Sequence, residues 1–527
     1  MQLIDAISSR CWLAVLIVGL LAFAGSVTIG LISGIAKPTV QDEFSYLLAA
    51  DTFVHGRLTN PAHPMWIHFE SVHIIHQPTY MSKYPPAQGA ILALGQLLTG
   101  YPIVGVWVSM GLMCAAICWM LHAWVPPRWA VIGGLFSVVH PIVGIGGDWA
   151  QSYWGGALGA TGGALVLGSI RNLLKELQIR QSLLMGLGLA ILANSRPFEG
   201  LLLSVCAAWI LFSGFWGNDK PKASLLIRKT ILPLTFICSI SAAWMGYYDY
   251  RITGSMFRLP YQIHEQMYGI APLFIWQKPA SPPEYRQIRI RDFHKLYEMS
   301  FYNEKHSWTG FVKVNLRNLL GYFVLTANVF AAPLLVTAWP LSRWILNSSW
   351  ARRALAIYTV VTVGIMLETY TLLHYWAPVL ALNYYFTVQA IRLWRSRDRR
   401  IGTVLCPVMF CLAVIVLIVA VTQKIQEEGN PLSAQAQRAN LLARLEQQAG
   451  KHVVLVKYGP EQSGDREWVY NKADIDHAKV VWAHDMGPKE NCKLVDYFKD
   501  HIIWSLIIDR DDAPVRLNSF PRRLCAF

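Results

Sequence analysis

Long stretches without a charged residue limit what this chain can fold into. Residues 12–34 carry no charge, and roughly 20 apolar residues are enough to cross a bilayer as a helix. Similar stretches recur as far as residue 422. Charged residues make up only 15% of the chain, well below the roughly 25% typical of soluble domains. The sequence therefore predicts an α-helical polytopic membrane protein with about 11 transmembrane helices.

The cations lie in the short loops between these stretches, on alternate sides of the predicted membrane. With the N-terminus in the cytoplasm, the cytoplasmic loops carry the basic residues, as in the cluster 392–400, and the short outer loops carry only Arg196. The positive-inside rule thus accounts for the net charge of +14 without nucleic-acid binding. Residues 87–99 are apolar but short, and we interpret them as an interfacial helix or the oblique start of the second span. Residues 318–340 are predicted to be a single span.

The chain divides into a membrane part and a tail. Residues 1–423 form the predicted transmembrane domain, with two long outer-face loops at 35–100 and 249–317. Residues 424–527 contain apolar strand-like runs that alternate with helical stretches, which predicts a small α/β domain with a parallel sheet. The topology places this tail in the periplasm of an inner-membrane, multi-pass protein.

The tail has two cysteines, Cys492 and Cys525. Disulfides persist in oxidising compartments, so an outer location predicts that the two pair. The alternative is two separate buried thiols.

Polar and ionisable side chains collect at the predicted outer ends of the spans, where they are costly and often functional. Carboxylates can deprotonate or orient a hydroxyl group. Lysine and arginine bind phosphate. Tyrosine rings can stack on sugars, although they also serve as interfacial anchors. The candidate site residues are Asp42, Glu43, Tyr46, Lys83, Tyr84, Asp148, Arg196, Arg258, His374 and Tyr375.

Each of these candidates also has a structural interpretation. The acidic pair 42–43 begins a helical stretch, where acids act as caps. Lys83 could be a snorkelling anchor, and Arg196 could simply pair with a nearby acid. Asp148 lies in a Gly-Gly-Asp-Trp sequence that suits a turn, and residues 374–375 could pack at the membrane interface.

Two of these sequences resemble a known family. Asp42-Glu43-Phe44-Ser45-Tyr46 after the first span, followed by Lys83-Tyr84-Pro85-Pro86, resembles membrane glycosyltransferases of the GT-C fold. The similar branch contains lipid A aminoarabinose transferase and the protein O-mannosyltransferases (glycosyltransferase family 39). The resemblance covers roughly residues 1–422, and the two motifs are moderately specific together.

The resemblance implies a polyprenyl-phosphate-linked sugar donor, an active site on the outer face and inversion at the anomeric carbon. It implies that Asp42 is the catalytic carboxylate, Glu43 its acidic neighbour and Lys83 a ligand of the donor phosphate. The aminoarabinose branch has a metal-associated acid immediately before its lysine, where this chain has Ser82. We therefore expect no bound metal and no other cofactor.

The expected function is the transfer of a sugar from this donor to a lipid, glycan or protein acceptor on the outer face of the membrane. The bilayer is the other expected partner, and nucleic acid is not one. A transporter or flippase of lipid-linked sugars is the alternative, since it would also need ionisable groups within the membrane. Transporters commonly place such groups near the midplane, between repeated halves. This chain shows no internal repeat and gathers its charges at one face, which favours the enzyme.

The topology is testable with fusion reporters. A reporter fused after residue 424 is expected to behave as periplasmic, and one fused after residue 398 as cytoplasmic, because the arginine cluster between the last two predicted spans remains inside. The opposite pattern would mean that residues 87–99 are a true span.

Overall fold

The computed structural model describes residues 8–216, 221–459, 461–462, 466–511 and 513–525. The membrane part is almost entirely helical, with short connections. Its helices are α1 (Cys11–Ser33), α2 (Gln41–Val54), α3 (Pro86–Thr99), α4 (Ile103–Trp124), α5 (Pro127–Val138), α6 (Gly156–Lys175), α7 (Ile179–Ala193), α8 (Pro197–Phe215), α9 (Ala223–Thr253), α10 (Pro260–Tyr268), α11 (Ile288–Asp292), α12 (Met299–His306), α13 (Trp308–Ala327), α14 (Ala331–Val336), α15 (Ala338–Asn347), α16 (Ser349–Leu367), α17 (Leu380–Arg397) and α18 (Arg399–Glu428).

Among the described residues, seven helices are long and apolar enough to cross a membrane: α1, α4, α6, α8, α9, α16 and α18. α4 and α6 are largely buried at the centre of the bundle. α9 and α18 are mostly exposed, with large apolar side chains such as Phe236 and Ile418 on their surfaces. Such exposure suits helices that face lipid. The total of about 11 spans remains a prediction.

One predicted span is wrong as a single helix. Residues 318–340 divide among α13, α14 and the start of α15, and Asn328 ends α13 because it adopts a positive φ of 39°. Asparagine tolerates this backbone region better than most residues do. Residues 86–99 form a separate helix, α3, before α4.

The first outer segment is a compact layer over the helix ends. It holds α2, a small antiparallel sheet in the order β1-β3-β2 and then α3. Its strands are β1 (Asn60–Pro61), β2 (Ile74–Ile75) and β3 (Thr79–Ser82). The Lys83-Tyr84-Pro85-Pro86 motif immediately follows β3 and leads into α3. The second outer segment contributes α10, α11 and α12.

The tail is a small α/β domain, as predicted. Its elements are α19 (Ala434–Gln447), β4 (Lys451–Tyr458), β5 (Val480–His484), α20 (Pro488–Tyr497), β6 (His501–Ile508) and β7 (Arg516–Ser519). The sheet has the order β5-β4-β6-β7, with β4 parallel to β5 and β6, and β7 antiparallel to β6. The predicted disulfide between Cys492 and Cys525 is confirmed, with the Cα atoms 5.1 Å apart.

An aromatic stack joins the tail to α2. The ring of Phe44 stacks on that of Tyr470, with 4.2 Å between centroids. The Arg438 guanidinium lies 4.7 Å from the Phe44 ring and donates hydrogen bonds to the carbonyl oxygens of Trp468 and Tyr470. Phe44 follows Asp42 by two residues, so the tail fixes the helix that carries the acidic pair 42–43.

The carboxyl ends of the parallel strands also pack on the outer segments. Arg289 of the second segment lies 4.0 Å from the ring of Tyr458 at the end of β4. His484 at the end of β5 contacts the Glu70 carbonyl oxygen at 2.8 Å. Ligands of open α/β sheets commonly bind at this edge, but in this protein the two outer segments pack against it.

Truncating the stack tests its contribution to stability. Phe44→Ala is expected to cost about 3–5 kcal/mol, as large-to-small changes of buried aromatic residues do. Phe257→Ala is the matched control, because Phe257 is 89% exposed. Thermal unfolding of both purified variants in detergent measures the difference, and equal melting temperatures would contradict the proposed anchoring role.

Candidate active site

A cavity of about 230 Å³ lies at the outer ends of α8 and α9. We call it the inner cavity. Its wall combines cations, carboxylates and tyrosine rings. The lining residues are Lys83, Tyr84, Pro85, Pro86, Ala193, Ser195, Arg196, Pro197, Phe198, Glu199, Met245, Tyr248, Asp249, Leu259, Pro260, Tyr261, Leu273, Glu368, Tyr370 and Tyr375.

An apolar groove of about 300 Å³ between α7, α8 and α9 adjoins this cavity. The groove and the inner cavity share Ala193, Pro197 and Met245 in their walls. The groove's other lining residues are mainly small or apolar, including Leu189, Leu201 and Ala242. An apolar groove therefore adjoins a chamber whose wall carries charged side chains.

Lys83 supplies one positive charge to the inner cavity. Its side chain is 3% exposed, and its Nζ lies 3.6 Å from Glu265 Oε1 and 4.9 Å from the centroid of the Tyr261 ring. Burial and the Lys83 charge lower the pKa of the adjacent His264 to about 3, so this imidazole is neutral. Burial opposes ionisation of Glu265, but His264 and Lys83 lower its pKa to about 2. Lys83 therefore faces one ionised carboxylate.

Arg196 supplies the second positive charge. It occupies the N-cap position of α8, 3.8 Å from Glu199 Oε1 and 5.2 Å from the ring of Tyr375. Tyr375 belongs to the 3₁₀ turn Leu373–Val379, which packs tightly on α6. A Cβ added at Gly163 of α6 would lie 1.9 Å from the Pro378 carbonyl oxygen, so only glycine permits this approach.

The two members of the acidic pair have different surroundings. Asp42 is partly exposed in the first turn of α2, and its carboxylate accepts a hydrogen bond from the Tyr84 hydroxyl. Tyr46, one turn along α2, stacks on Tyr84 with 4.7 Å between ring centroids. Burial and the charge of Asp42 raise the pKa of Tyr84, so its phenol remains a donor. Asp42 therefore contacts a residue of the cavity wall directly.

Glu43 is engaged with the backbone. It is 3% exposed, and its carboxylate accepts hydrogen bonds from the N–H groups of Thr39 at 2.7 Å, Val40 at 3.2 Å and Tyr153 at 2.9 Å. The first two bonds close the N-terminus of α2 in the manner of a capping box. Oε2 thus closes the helix start, as the structural interpretation of the acidic pair predicted for this residue, and Oε1 ties α2 to the segment before α6.

A second, more polar cavity of about 500 Å³ lies between the outer ends of α1 and α18 and the tail. We call it the outer cleft. Asp148 lines it, with its side chain 70% exposed and 3.9 Å from Lys424 Nζ. Trp154 also lines it and packs on His374, with 5.5 Å between ring centroids. His374 in turn contacts Tyr375 of the inner cavity at 5.0 Å. The Trp154–His374 pair thus links the walls of the two cavities through ring contacts, and we call this pair the partition.

The fold brings together six of the predicted residues, with His374 at the partition. Asp148 lies apart in the outer cleft, and Arg258 is exposed, bonds to Gln266 and does not line the inner cavity. The six are Asp42, Tyr46, Lys83, Tyr84, Arg196 and Tyr375.

Sequence reasoning did not select several lining residues. Tyr261 follows Arg258 within the same short sequence Arg258-Leu259-Pro260-Tyr261, and Glu368 stands at the outer end of a predicted span. Tyr248 and Tyr370 gave no separate signal, because a tyrosine at a membrane surface is common.

Ser82 stands where the aminoarabinose branch has its metal-associated acid, so this position has no carboxylate. The Ser82 hydroxyl lies 2.7 Å from that of Ser45 and accepts a hydrogen bond from the Tyr84 N–H at 3.1 Å. Across the described part of the chain, no group of three or more His, Cys, Asp or Glu side chains has the arrangement of a metal site. These residues do not fit a metal of the kind that the aminoarabinose branch holds.

Comparisons with solved structures identify the architecture. ArnT from Cupriavidus metallidurans, in the apo state, superposes with a TM-score of 0.56 at 12% sequence identity, over 93% of this chain and 92% of that chain. The Archaeoglobus fulgidus oligosaccharyltransferase, tethered with an acceptor peptide containing the NVT sequon, gives a TM-score of 0.47 at 10% identity. The alignment covers 84% of this chain but only 61% of the oligosaccharyltransferase.

No protein-family model matches the sequence, and no curated protein shows significant sequence similarity to it. At 12% identity the likeness to ArnT establishes the fold and not the activity. The chain is a polytopic α-helical membrane protein with the GT-C fold and a small C-terminal α/β domain, as the two sequence motifs implied.

Proposed function

We propose that this protein is an integral membrane glycosyltransferase. It transfers a sugar from a polyprenyl-phosphate donor to a lipid, glycan or protein acceptor on the outer face of the inner membrane. One observation carries the proposal: an apolar groove adjoins a chamber with two cations, and Asp42 bonds to that chamber's wall. The GT-C fold supports this assignment.

The donor is amphiphilic, and the groove and inner cavity match its two ends. The polyprenyl chain lies in the apolar groove between α7, α8 and α9. Its phosphate lies against Lys83 and Arg196. The Lys83–Glu265 separation of 3.6 Å exceeds the roughly 2.7–2.9 Å of a charge-assisted hydrogen bond. Protons of the ammonium group therefore remain for the phosphate oxygens.

Asp42 acts on the acceptor. Its carboxylate takes or orients the proton of an acceptor hydroxyl as that oxygen attacks the anomeric carbon. The bond from this carbon to the phosphate oxygen breaks, and the phosphate keeps the electron pair. Lys83 and Arg196 stabilise the charge that develops there. Attack opposite the leaving phosphate inverts the anomeric carbon. Glu43 supports this step only by fixing the start of α2.

The acceptor approaches from the outer cleft. This cleft opens where α1 and α18 end, beside the Trp154–His374 partition that adjoins the inner cavity. Asp148 belongs to the acceptor side in this arrangement, whereas Tyr46, Tyr84 and Tyr375 belong to the donor side.

The active side is the periplasmic one. The arginine-rich segment 392–400 and the tail lie at opposite ends of α18, so a cytoplasmic position for this segment implies a periplasmic tail. The disulfide between Cys492 and Cys525 suits an oxidising compartment.

Variants of three residues separate catalysis from donor binding. Asp42→Asn is expected to lower the transfer rate by at least about 100-fold while donor affinity survives, because proton transfer of this kind contributes roughly 10²–10⁴-fold. Lys83→Ala is expected to weaken donor binding by about 1.5–3 kcal/mol, the value of a hydrogen bond to a charged group, and also to slow transfer. Glu43→Gln retains one acceptor oxygen and should have the mildest effect on transfer.

Donor affinity and transfer rate are measured in nanodiscs with a lipid-linked sugar. Full activity of Asp42→Asn would mean that the acidic pair 42–43 only caps α2. Donor binding without any transfer by the wild-type protein, together with movement of the donor between leaflets, would favour the flippase instead.

A further inference from the structure

Three buried oxygen atoms of the inner cavity's residues have no hydrogen-bond partner among the described residues. They are Glu368 Oε1 and the hydroxyl oxygens of Tyr370 and Tyr248. Buried polar groups in native proteins are nearly always paired, and a cluster of exceptions calls for an explanation such as an absent ligand. Two of them follow α16 in one short segment and the third lies on α9, so their presence around one cavity is a property of the tertiary structure.

The segment that carries two of these groups is held firmly in place. Lys305 of α12 is 1% exposed, and its Nζ donates hydrogen bonds to the Glu368 carbonyl oxygen at 2.6 Å and to Thr371 Oγ1 at 2.7 Å. The Thr369 N–H donates to the Leu273 carbonyl oxygen at 2.8 Å. The backbone of this segment is thus satisfied on both sides, while the side chains of Glu368 and Tyr370 retain unused hydrogen-bonding capacity. Such preorganisation is typical of a binding surface.

The charge of these groups suits a neutral ligand. Burial, followed by the negative charge of Glu199, raises the pKa of Glu368 to about 9. Its carboxyl group is therefore protonated near neutral pH and can both donate and accept a hydrogen bond, as the two tyrosine hydroxyls can. Sugar hydroxyls have the same dual capacity. The volume of about 230 Å³ lies below the roughly 300 Å³ at which sites for drug-sized ligands begin, which limits the occupant to one small ring.

We infer that Glu368, Tyr370 and Tyr248 bind the hydroxyl groups of the donor's sugar, so that the inner cavity selects a single uncharged monosaccharide ring. This inference rests on the proposed transferase function and assigns the sugar-recognising residues of the same site. The phosphate lies at the Lys83 and Arg196 side of the cavity, and the ring extends from it toward these three groups. The ring faces of Tyr261 and Tyr375, also in the wall, supply apolar surface for the sugar.

The test compares ligands with and without a sugar on the same polyprenyl phosphate. Binding of polyprenyl-phosphate-linked hexoses (glucose, mannose and galactose) and of the same polyprenyl phosphate without sugar is measured in nanodiscs. Tyr370→Phe and Tyr248→Phe should each weaken binding of the preferred sugar-linked ligand by about 2- to 10-fold, the effect of one hydrogen bond. Glu368→Ala should weaken it by about 10-fold or more. Binding of the sugar-free phosphate should change less than about twofold in all three variants.

Tyr384→Phe is the matched control. The Tyr384 hydroxyl is also buried without a hydrogen-bond partner in the described structure, but this residue lies in the helical core away from the inner cavity. Removing an unpaired hydroxyl should leave the melting temperature unchanged or raise it in all three Tyr→Phe variants. Only the two cavity variants should lose affinity for the sugar.

The outcomes distinguish the two proposals. Equal losses for the sugar-linked and sugar-free ligands, or no loss in the cavity variants, would overturn the sugar assignment while leaving the phosphate site intact. Hexose-linked donors that bind no more tightly than the sugar-free phosphate would also overturn it. Failure of wild-type protein to bind either ligand, or equal binding by wild type and Lys83→Ala, would instead refute the proposed function.

Discussion

The ion pair between Lys83 and Glu265 connects the elements around the candidate site. A buried ammonium group near a membrane is costly unless a carboxylate lies close to it. Lys83 follows β3 of the first outer segment, and Glu265 lies on α10 of the second. Their separation of 3.6 Å therefore brings two distant parts of the chain together over the helix ends. The neutral His264 beside the pair contributes no competing positive charge, so the site has a charged wall without a dense cluster of cations.

The acidic pair shows how adjacent residues acquire different roles. Successive positions on an α-helix point about 100° apart, since the helix has 3.6 residues per turn. Glu43 consequently turns inward, where three backbone N–H groups occupy its oxygens. Asp42 contacts Tyr84 in the cavity wall. The capping interpretation thus applies to Glu43, and the catalytic role proposed for Asp42 would depend on the rigid helix start that Glu43 provides.

The tail has a structural relation to this arrangement. Its Tyr470 and Arg438 pack on Phe44 of α2, close to Asp42. The ends of β4 and β5 contact both outer segments. The outer segments cover the sheet edge at which ligands of such sheets commonly bind. The tail is therefore suited to holding these segments in place. The outer cleft lies along the remaining boundary between the tail and α18, so the tail also forms one wall of the proposed acceptor route.

The sequence by itself determined the membrane-helix class, the small α/β tail and the disulfide, because hydropathy, strand-like runs and cysteine location are local properties. Its two motifs also indicated the GT-C fold. It also selected Lys83, Arg196 and Tyr375, since ionisable and aromatic residues at helix ends are conspicuous. It did not foresee the break at Asn328, which depends on one backbone angle. Only the tertiary structure decided that Glu265 faces Lys83, that Asp148 and Arg258 lie outside the inner cavity, and that Glu368, Tyr370 and Tyr248 share one. Lys83 and Glu265 lie more than 100 positions apart in the chain, as do Tyr248 and Glu368, and no local pattern specifies which side chains meet when the helices pack.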